Sequence, residues 1–457
     1  MIFKENPIVE FFSSVRLAIL IISLLVVTSI IGTILPQEQP LGFYIEKYGQ
    51  TNAIIMEILG FSNTYASMWF KTLLFVLCLN LVVCSLVRVP QVLKFIKNDN
   101  LSADITKIKR SKDKFLFASN EDKQTAENEI RSVLKKNNWK IRSKQNADFL
   151  LLFAEKSAWS RLGAYFVHVS ILIIFLGALI GSIFGFKAFV MLPEGEITAD
   201  IYLQNDEQSK IPLPFKLRCD SFDIEYYENS MPKEYRSELV VLEENKEVVK
   251  RQITVNDPLS YAGLTFYQSS YEPMSDQYTV ELTKKTSSKK DNKTRMARQK
   301  LYVEPREKME WKDKKVSFEV VETGVDGHGH GPYTLWFDDE LGEPVRLIAE
   351  DKKHVTINRG DISYTLMIKQ RYATGLQVVK DPGVWLVYIG FGLMLFGLYV
   401  AFFMSHRRLW ISVQETGSTL TIILSGSSNK NQSGFLKTLE DIAADLLNEK
   451  SLGLRRI

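Results

Sequence analysis

The sequence predicts a membrane protein with four transmembrane α-helices, a large extracytoplasmic all-β domain and a small cytoplasmic α+β region. Three observations carry that expectation. Four long apolar runs are separated by ordinary polar sequence. Lysine and arginine crowd the connections on alternate sides of those runs. The long stretch between the third and fourth runs breaks into short apolar-rich pieces punctuated by Gly, Asp and Asn. At 457 residues the chain exceeds one ordinary core, and its formal charge of +4 gives no case for nucleic-acid binding.

Residues 1–35 hold the N-terminus and the first span. LAILIISLLVVTSIIGTIL, residues 17–35, is uncharged and directly follows Arg16. A span needs about 20 apolar residues, so this run suffices. It is too long for the apolar region of a cleaved signal peptide and ends in GTILPQEQP without a small-residue cleavage site. After a loop over 36–68, WFKTLLFVLCLNLVVCSLV forms the second span, 69–87, ending at Arg88 and Pro90. Lys71 within it can snorkel to the interface. The third span covers 162–186 and the fourth 382–405.

Orientation follows from the flanking cations. The loop 36–68 carries only Lys47, whereas 88–161 holds Lys107, Lys109, Arg110, Lys112 and Lys114 among others. The second loop is therefore expected in the cytoplasm. Both termini join it, with Arg16 at one end and Arg407 and Arg408 in the tail 406–457. Residues 187–381 then lie on the far side.

That far-side segment reads as all-β, either a sandwich or an irregular barrel-like sheet. EYRSELVVLEENKEVVKRQITV has two apolar-rich runs around ENKE, a hairpin signal. SYAGLTFYQSSY, VSFEVVE, YTLWF, VRLIAE, HVTIN and SYTLMIKQ supply further strands. KKTSSKKDNKTRMARQK, residues 284–300, is basic and poor in apolar residues, which predicts an exposed loop. His328 and His330 form an HxH pair in a glycine-rich stretch with no third ligand apparent. On the cytoplasmic side, the amphipathic stretch TAENEIRSVLKKNNW and the strand-like FLLLFAE are expected to pack with the tail. The tail supplies LWISVQE, TLTIIL and the helix GFLKTLEDIAADLLNE.

Three cysteines, Cys78, Cys84 and Cys219, form no CxxC pair and no zinc set. No phosphate loop, nucleophile elbow or HExxH occurs, so no self-contained enzyme site is expected. The distinctive residue is His168, inside the third span. It lies seven residues beyond Arg161, roughly 10 Å into the bilayer. Ionisable groups in spans are rare and face the bundle interior, a cavity or a partner. Metal or haem ligation, proton transfer, and a neutral imidazole bonded to a neighbouring helix all fit that position. Gly177, Gly181 and Gly185 form a small-residue stripe pointing broadly away from it, and Gly383, Gly390 and Gly397 form another in the fourth span. Arg161, Ala164, His168 and Phe175 share the opposite face of the third helix. His406 falls near the interface beside Arg407 and Arg408, where a solvated or anion-facing role is expected.

Several blocks together resemble the ResB-like cytochrome c biogenesis proteins. They are SSVRLAILIISLLVVTSIIGTILPQ, LCLNLVVCSLVRVP, RLGAYFVHVSILIIFLGALIGSIFGFKAFVMLPEGE, DSFDIEYYENSMPKEYRSEL, VNDPLSYAGLTFYQSSY and DPGVWLVYIGFGLMLFGLYVAFFMSHRRLW, in that order. The resemblance implies a multi-pass protein of the bacterial cytoplasmic (inner) membrane, a subunit of the system II cytochrome c maturation machinery. It implies haem b as a transported substrate and a haem-handling partner of the CcsA or ResC type. It further implies apocytochrome c with a CxxCH motif as client, and thiol-reducing partners. The tryptophan-rich haem motif of that partner is absent here, so the chain reads as a non-autonomous subunit of a holocytochrome c synthase (haem lyase) complex. The resemblance implies His168 as the haem-iron ligand; by position, Arg161 is a lesser candidate for a propionate contact and His406 for a ligand or propionate contact. The alternative is a membrane-anchored scaffold or binding module with no cofactor of its own.

Overall fold

The computed structural model describes residues 6–98, 101, 113–145, 149–204, 206–228, 231–288, 293–311, 315–323, 332–417, 419–449 and 452–456. His328 and His330, together with Lys107, Lys109, Arg110 and Lys112, lie outside them. The chain divides into two compact units, Met1–Ala178 with Trp385–Ile457, and Leu179–Val384.

The first unit begins with a short helix, α1 (Pro7–Phe12), and the first span, α2 (Val15–Ile34). The break between them is held by Asn80, whose buried amide donates to the carbonyls of Phe12 and Ser14. The stretch expected as a loop is largely helical, with α3 (Leu41–Tyr48) and α4 (Gln50–Ile58) meeting at Gly49. Gly49 takes φ +83°, a left-handed value that suits glycine.

The second span, α5 (Met68–Lys97), does not stop at Pro90 but runs 30 residues, past the ~30 Å hydrocarbon core. Proline removes one backbone donor and strains one turn. Here the helix continues because its last turns pack: Phe95 lies edge-on to His406 and under the Arg161 guanidinium. The third span is α7 (Gly163–Phe184), entered through a 3₁₀ turn, Ala158–Leu162, and the fourth is α8 (Val384–Phe403). With α2 and α5 they form four helices long and apolar enough to cross a membrane.

Glycine sets the closeness of α7 to α8. A Cβ on Gly390 would meet Ile174 and the Ser170 carbonyl; one on Gly397 would meet Phe166 and Val167; one on Gly163 would meet the Ala401 backbone. The other glycine stripe serves differently from expectation. Gly181 abuts the Asp381 carboxylate and Gly185 the Lys380 carbonyl, so these positions admit a turn of chain, not a second helix. The opposite face of α7 packs within the bundle. Ile171, Leu172 and Phe175 join Ile21 of α2 and Leu77 and Leu81 of α5 in one apolar cluster.

The small α+β domain closes this unit. Its sheet takes strands from before and after the β domain, in the order 140–145, 149–156, 407–416, 419–428, 114–119, 455–456. Helices α6 (Lys123–Lys136) and α9 (Gln432–Asn448) cover it through a shared core that includes Phe117, Ile130, Leu134, Ile411, Phe435 and Leu439.

The second unit is all-β. One sheet runs, strand by strand, from 293–303 through 264–288, 362–380, 186–193, 197–203, 206–226 and 232–243 to 246–253. A four-stranded sheet spans 308–350. The expected hairpin turns at Glu244 and Asn245, both at positive φ. Apart from 289–292, which lie outside the described residues, the basic segment 284–300 is strand and not loop. It pairs antiparallel within the sheet, Thr283 opposite Arg298 and Lys285 opposite Met296. The ladder is made by backbone N–H and C=O groups, so the pairing does not depend on an apolar side-chain pattern. The two long strands, 264–288 and 362–380, pair along their length and serve two separate cores. Phe266, Leu376 and Val378 belong to one; Val280, Leu282, Leu366 and Ile368 belong to the other.

Candidate functional site

The apolar stretch after Leu162 makes α7 a span, and a span leaves an imidazole few polar neighbours. His168 is half-buried, and its Nδ1 lies 3.1 Å from Ser85 Oγ on α5. The Tyr165 ring, one turn away, packs edge-on at 5.8 Å between centroids. Among the described residues Nε2 makes no hydrogen bond. With Nδ1 protonated and donating to Ser85, the ring orientation is set and the Nε2 lone pair is left available. The residue therefore makes a helix–helix contact through one nitrogen, and the other has no hydrogen-bond partner among the described residues.

Two turns before it, Arg161 sits where α7 leaves the 3₁₀ turn. Its Nε donates to His406 Nδ1 at 2.9 Å, and its guanidinium lies 4.3 Å from the Phe95 ring centre. Among the described residues it forms no ion pair. It lines an open cleft of about 860 Å³ with Arg88, Phe95, Ala164, Tyr165 and Lys430. No Asp or Glu lines that cleft among the described residues. The volume is that of a ligand site, for which ~300–1,000 Å³ is usual. His168 is not part of the lining; Tyr165 connects the two, since it lines the cleft and touches the imidazole ring.

His406 corrects its expected setting. It lies beyond the end of α8, fully buried, not solvated at a helix end. Since the Arg161 Nε–H can only donate, Nδ1 must accept, so Nε2 carries the proton and donates to Glu155 Oε2 at 3.2 Å. Both ring nitrogens are thus engaged, and neither offers a lone pair to a metal. Burial, then the positive charges of Arg161 and Arg408, push its pKa down to about 4. Glu155 also pairs with Arg142 at 3.3 Å; burial nonetheless pushes its carboxyl above the usual range. The backbone N–H of His406 donates to Asn429, anchoring the junction of α8 with the sheet.

The sequence reading placed His168 and Arg161 on one helix face, and the structure sets both toward α5. It brings Arg161 and His406 into direct contact and leaves His168 apart from that pair. Ser85, Tyr165, Arg88 and Lys430 were not picked out as site residues. Ser85 carried little signal: it lies three residues inside Arg88, whereas His168 lies seven inside Arg161, so depth counted from the flanking arginine does not match them. Lys430 had none, because only the fold returns it to the spans. No group of three or more His, Cys, Asp or Glu side chains forms a metal site among the described residues.

The ResB-like family model matches residues 15–334 and 338–440. Full-length similarity extends to named proteins. The cytochrome c biogenesis protein Ccs1 of Pyropia yezoensis is 27% identical, covering 88% of each chain. The CcsB protein of Gloeobacter violaceus is 26% identical over 96% of this chain and 91% of its own. That of Prochlorococcus marinus is 27% identical over 97% of this chain and 100% of its own.

Proposed function

Because the chain belongs to the ResB-like family, we propose that it is a membrane subunit of a cytochrome c maturation system that handles haem b as its substrate. In this reading it helps to move haem across the bilayer and to present it for covalent attachment to the CxxCH motif of apocytochrome c. It acts with a CcsA- or ResC-type haem-handling partner and with thiol-reducing proteins that keep the client cysteines free. The names of its relatives support cytochrome c biogenesis as the process. The excess of Lys and Arg in 88–161 favours a cytoplasmic α+β domain and an extracytoplasmic β domain; the membrane in this reading is the bacterial inner membrane.

One observation carries the haem assignment: His168 Nε2, in a span, has no hydrogen-bond partner among the described residues while Nδ1 is held by Ser85. Neutral imidazole is an ordinary axial ligand of haem iron, and a hydrogen bond on the far nitrogen fixes the ring and raises its basicity. Arg161, on the same helix face, is the cation placed for a propionate. His406 acts through Arg161 and not on the iron.

The test is a visible spectrum of the full chain co-purified with its haem-handling partner. Wild type is expected to carry a haem band, and His168→Ala to lose it along with cytochrome c yield. Full haem content and yield in that variant would overturn the ligand assignment. A colourless wild-type complex would favour the cofactor-free scaffold, in which the Ser85 bond alone accounts for the histidine.

A further inference from the structure

The cleft beside α5 carries more information than a single propionate contact. Three cations line it and no carboxylate does among the described residues. Among the described residues Arg88 and Arg161 form no ion pair or carboxylate hydrogen bond either, and the Lys430 ammonium donates to the Ala401 carbonyl. Guanidinium groups gathered at a membrane boundary repel one another unless an anion joins them. Arg161 is also held in a set pose. His406 fixes its Nε and Phe95 its face, while its two terminal amino groups make no hydrogen bond among the described residues. Glu155 in turn holds His406 from the other side. A free arginine would reach for any nearby acceptor; this one is presented.

The cleft is also in register with the imidazole. Arg161 and His168 are seven residues apart on one face, about 10 Å along the axis. Tyr165 forms the wall between them. The carboxylates of a tetrapyrrole lie a comparable distance from its centre. We propose that Arg88, Arg161 and Lys430 form a carboxylate-reading vestibule. It accepts the free-acid edge of a dicarboxylate macrocycle and fixes which edge points away from the bilayer centre. His406 and Glu155 are the positioning pair behind Arg161. The inference rests on the haem-handling reading, but the vestibule reads carboxylates and not iron, so the two can be tested apart.

The probes are iron-free protoporphyrin IX and its dimethyl ester, titrated by fluorescence against the full-length protein in detergent. Charge-assisted hydrogen bonds to two carboxylates predict that wild type binds the acid about tenfold or more tighter than the ester. Arg88→Gln with Arg161→Gln is expected to abolish that preference, whereas His168→Ala retains it. Arg88→Gln alone, at an exposed position, is expected to reduce it and serves if the double variant misfolds. His406→Asn is expected to weaken the preference while leaving the iron spectrum of the haem-loaded complex unmoved. Equal binding of acid and ester by wild type, or undiminished preference in the arginine variants, overturns the vestibule. If that occurs beside a His168-dependent haem spectrum, only the vestibule falls; a complex that never takes haem overturns the reading beneath it.

Discussion

Two histidines face opposite fates in this molecule. His168 lies in a span with one nitrogen bonded to Ser85 and the other unpartnered among the described residues. His406 lies at a domain junction, fully buried, with Arg161 on one nitrogen and Glu155 on the other. By depth alone the buried one would look more special. Chemistry reverses the order: a ligand needs a free lone pair, and a fully bonded imidazole is a structural joint. Polar satisfaction, more than burial, separates a site from a scaffold.

The sharpest way to break this comparison is to exchange the readouts. His168→Ala is expected to abolish haem retention by the complex while moving unfolding stability by no more than about 1 kcal/mol, one hydrogen bond's net worth. Comparable losses in thermal melting and haem content would erase the distinction. His406→Ala should show the converse. Leaving Glu155 and Arg161 without their shared partner is expected to cost about 3 kcal/mol, read as a lowered melting temperature in detergent. Unchanged melting would mean the joint bears no strain. Ser85→Ala is expected to be milder, lowering haem affinity about tenfold by freeing the ring to rotate, checked by haem titration of the complex.

The smallest effect is on pH. His406 has its pKa depressed from 6.5 to about 4 in the fold. Its stabilising contribution is therefore complete above 6.5 and is lost as pH falls toward 4, because the unfolded chain takes up that proton first. Glu155, raised by burial, works in the opposite direction and offsets part of the loss. Melting temperature should thus decline on acidification across that window, and His406→Gln should flatten the decline. Parallel curves for the two proteins would count against this account.

Much of the architecture was legible because it follows local periodicity. Uncharged runs near 20 residues have few alternatives to spans, and the hairpin at Glu244 and Asn245 announces itself by its turn. The α+β domain was readable although its parts are far apart, since each part shows an unmistakable amphipathic or strand pattern. Three features were not legible, and each depends on tertiary contacts. The turns of α5 after Pro90 persist because Phe95 finds His406 and Arg161. The described parts of the 284–300 segment, 284–288 and 293–300, are strand because they pair with each other and with 362–380. His406 is buried because α8 ends before it and the next strand begins at Arg407. Of the site, the helix face of His168 and Arg161 was readable; the neighbours that give each its role were not.

The two long strands of the β domain set an order of events in synthesis. Residues 264–288 and 362–380 are mutual partners, and each core needs both. Neither core can close until the ribosome has reached the strand 362–380, whose end lies close to the start of the fourth span. Earlier strands must therefore wait, with unpaired edges exposed, while the rest of the domain is produced. Such long-range pairing folds slowly and all together. A truncation between residues 264 and 362 should leave no half-domain, only an aggregation-prone chain tethered to the membrane by three spans.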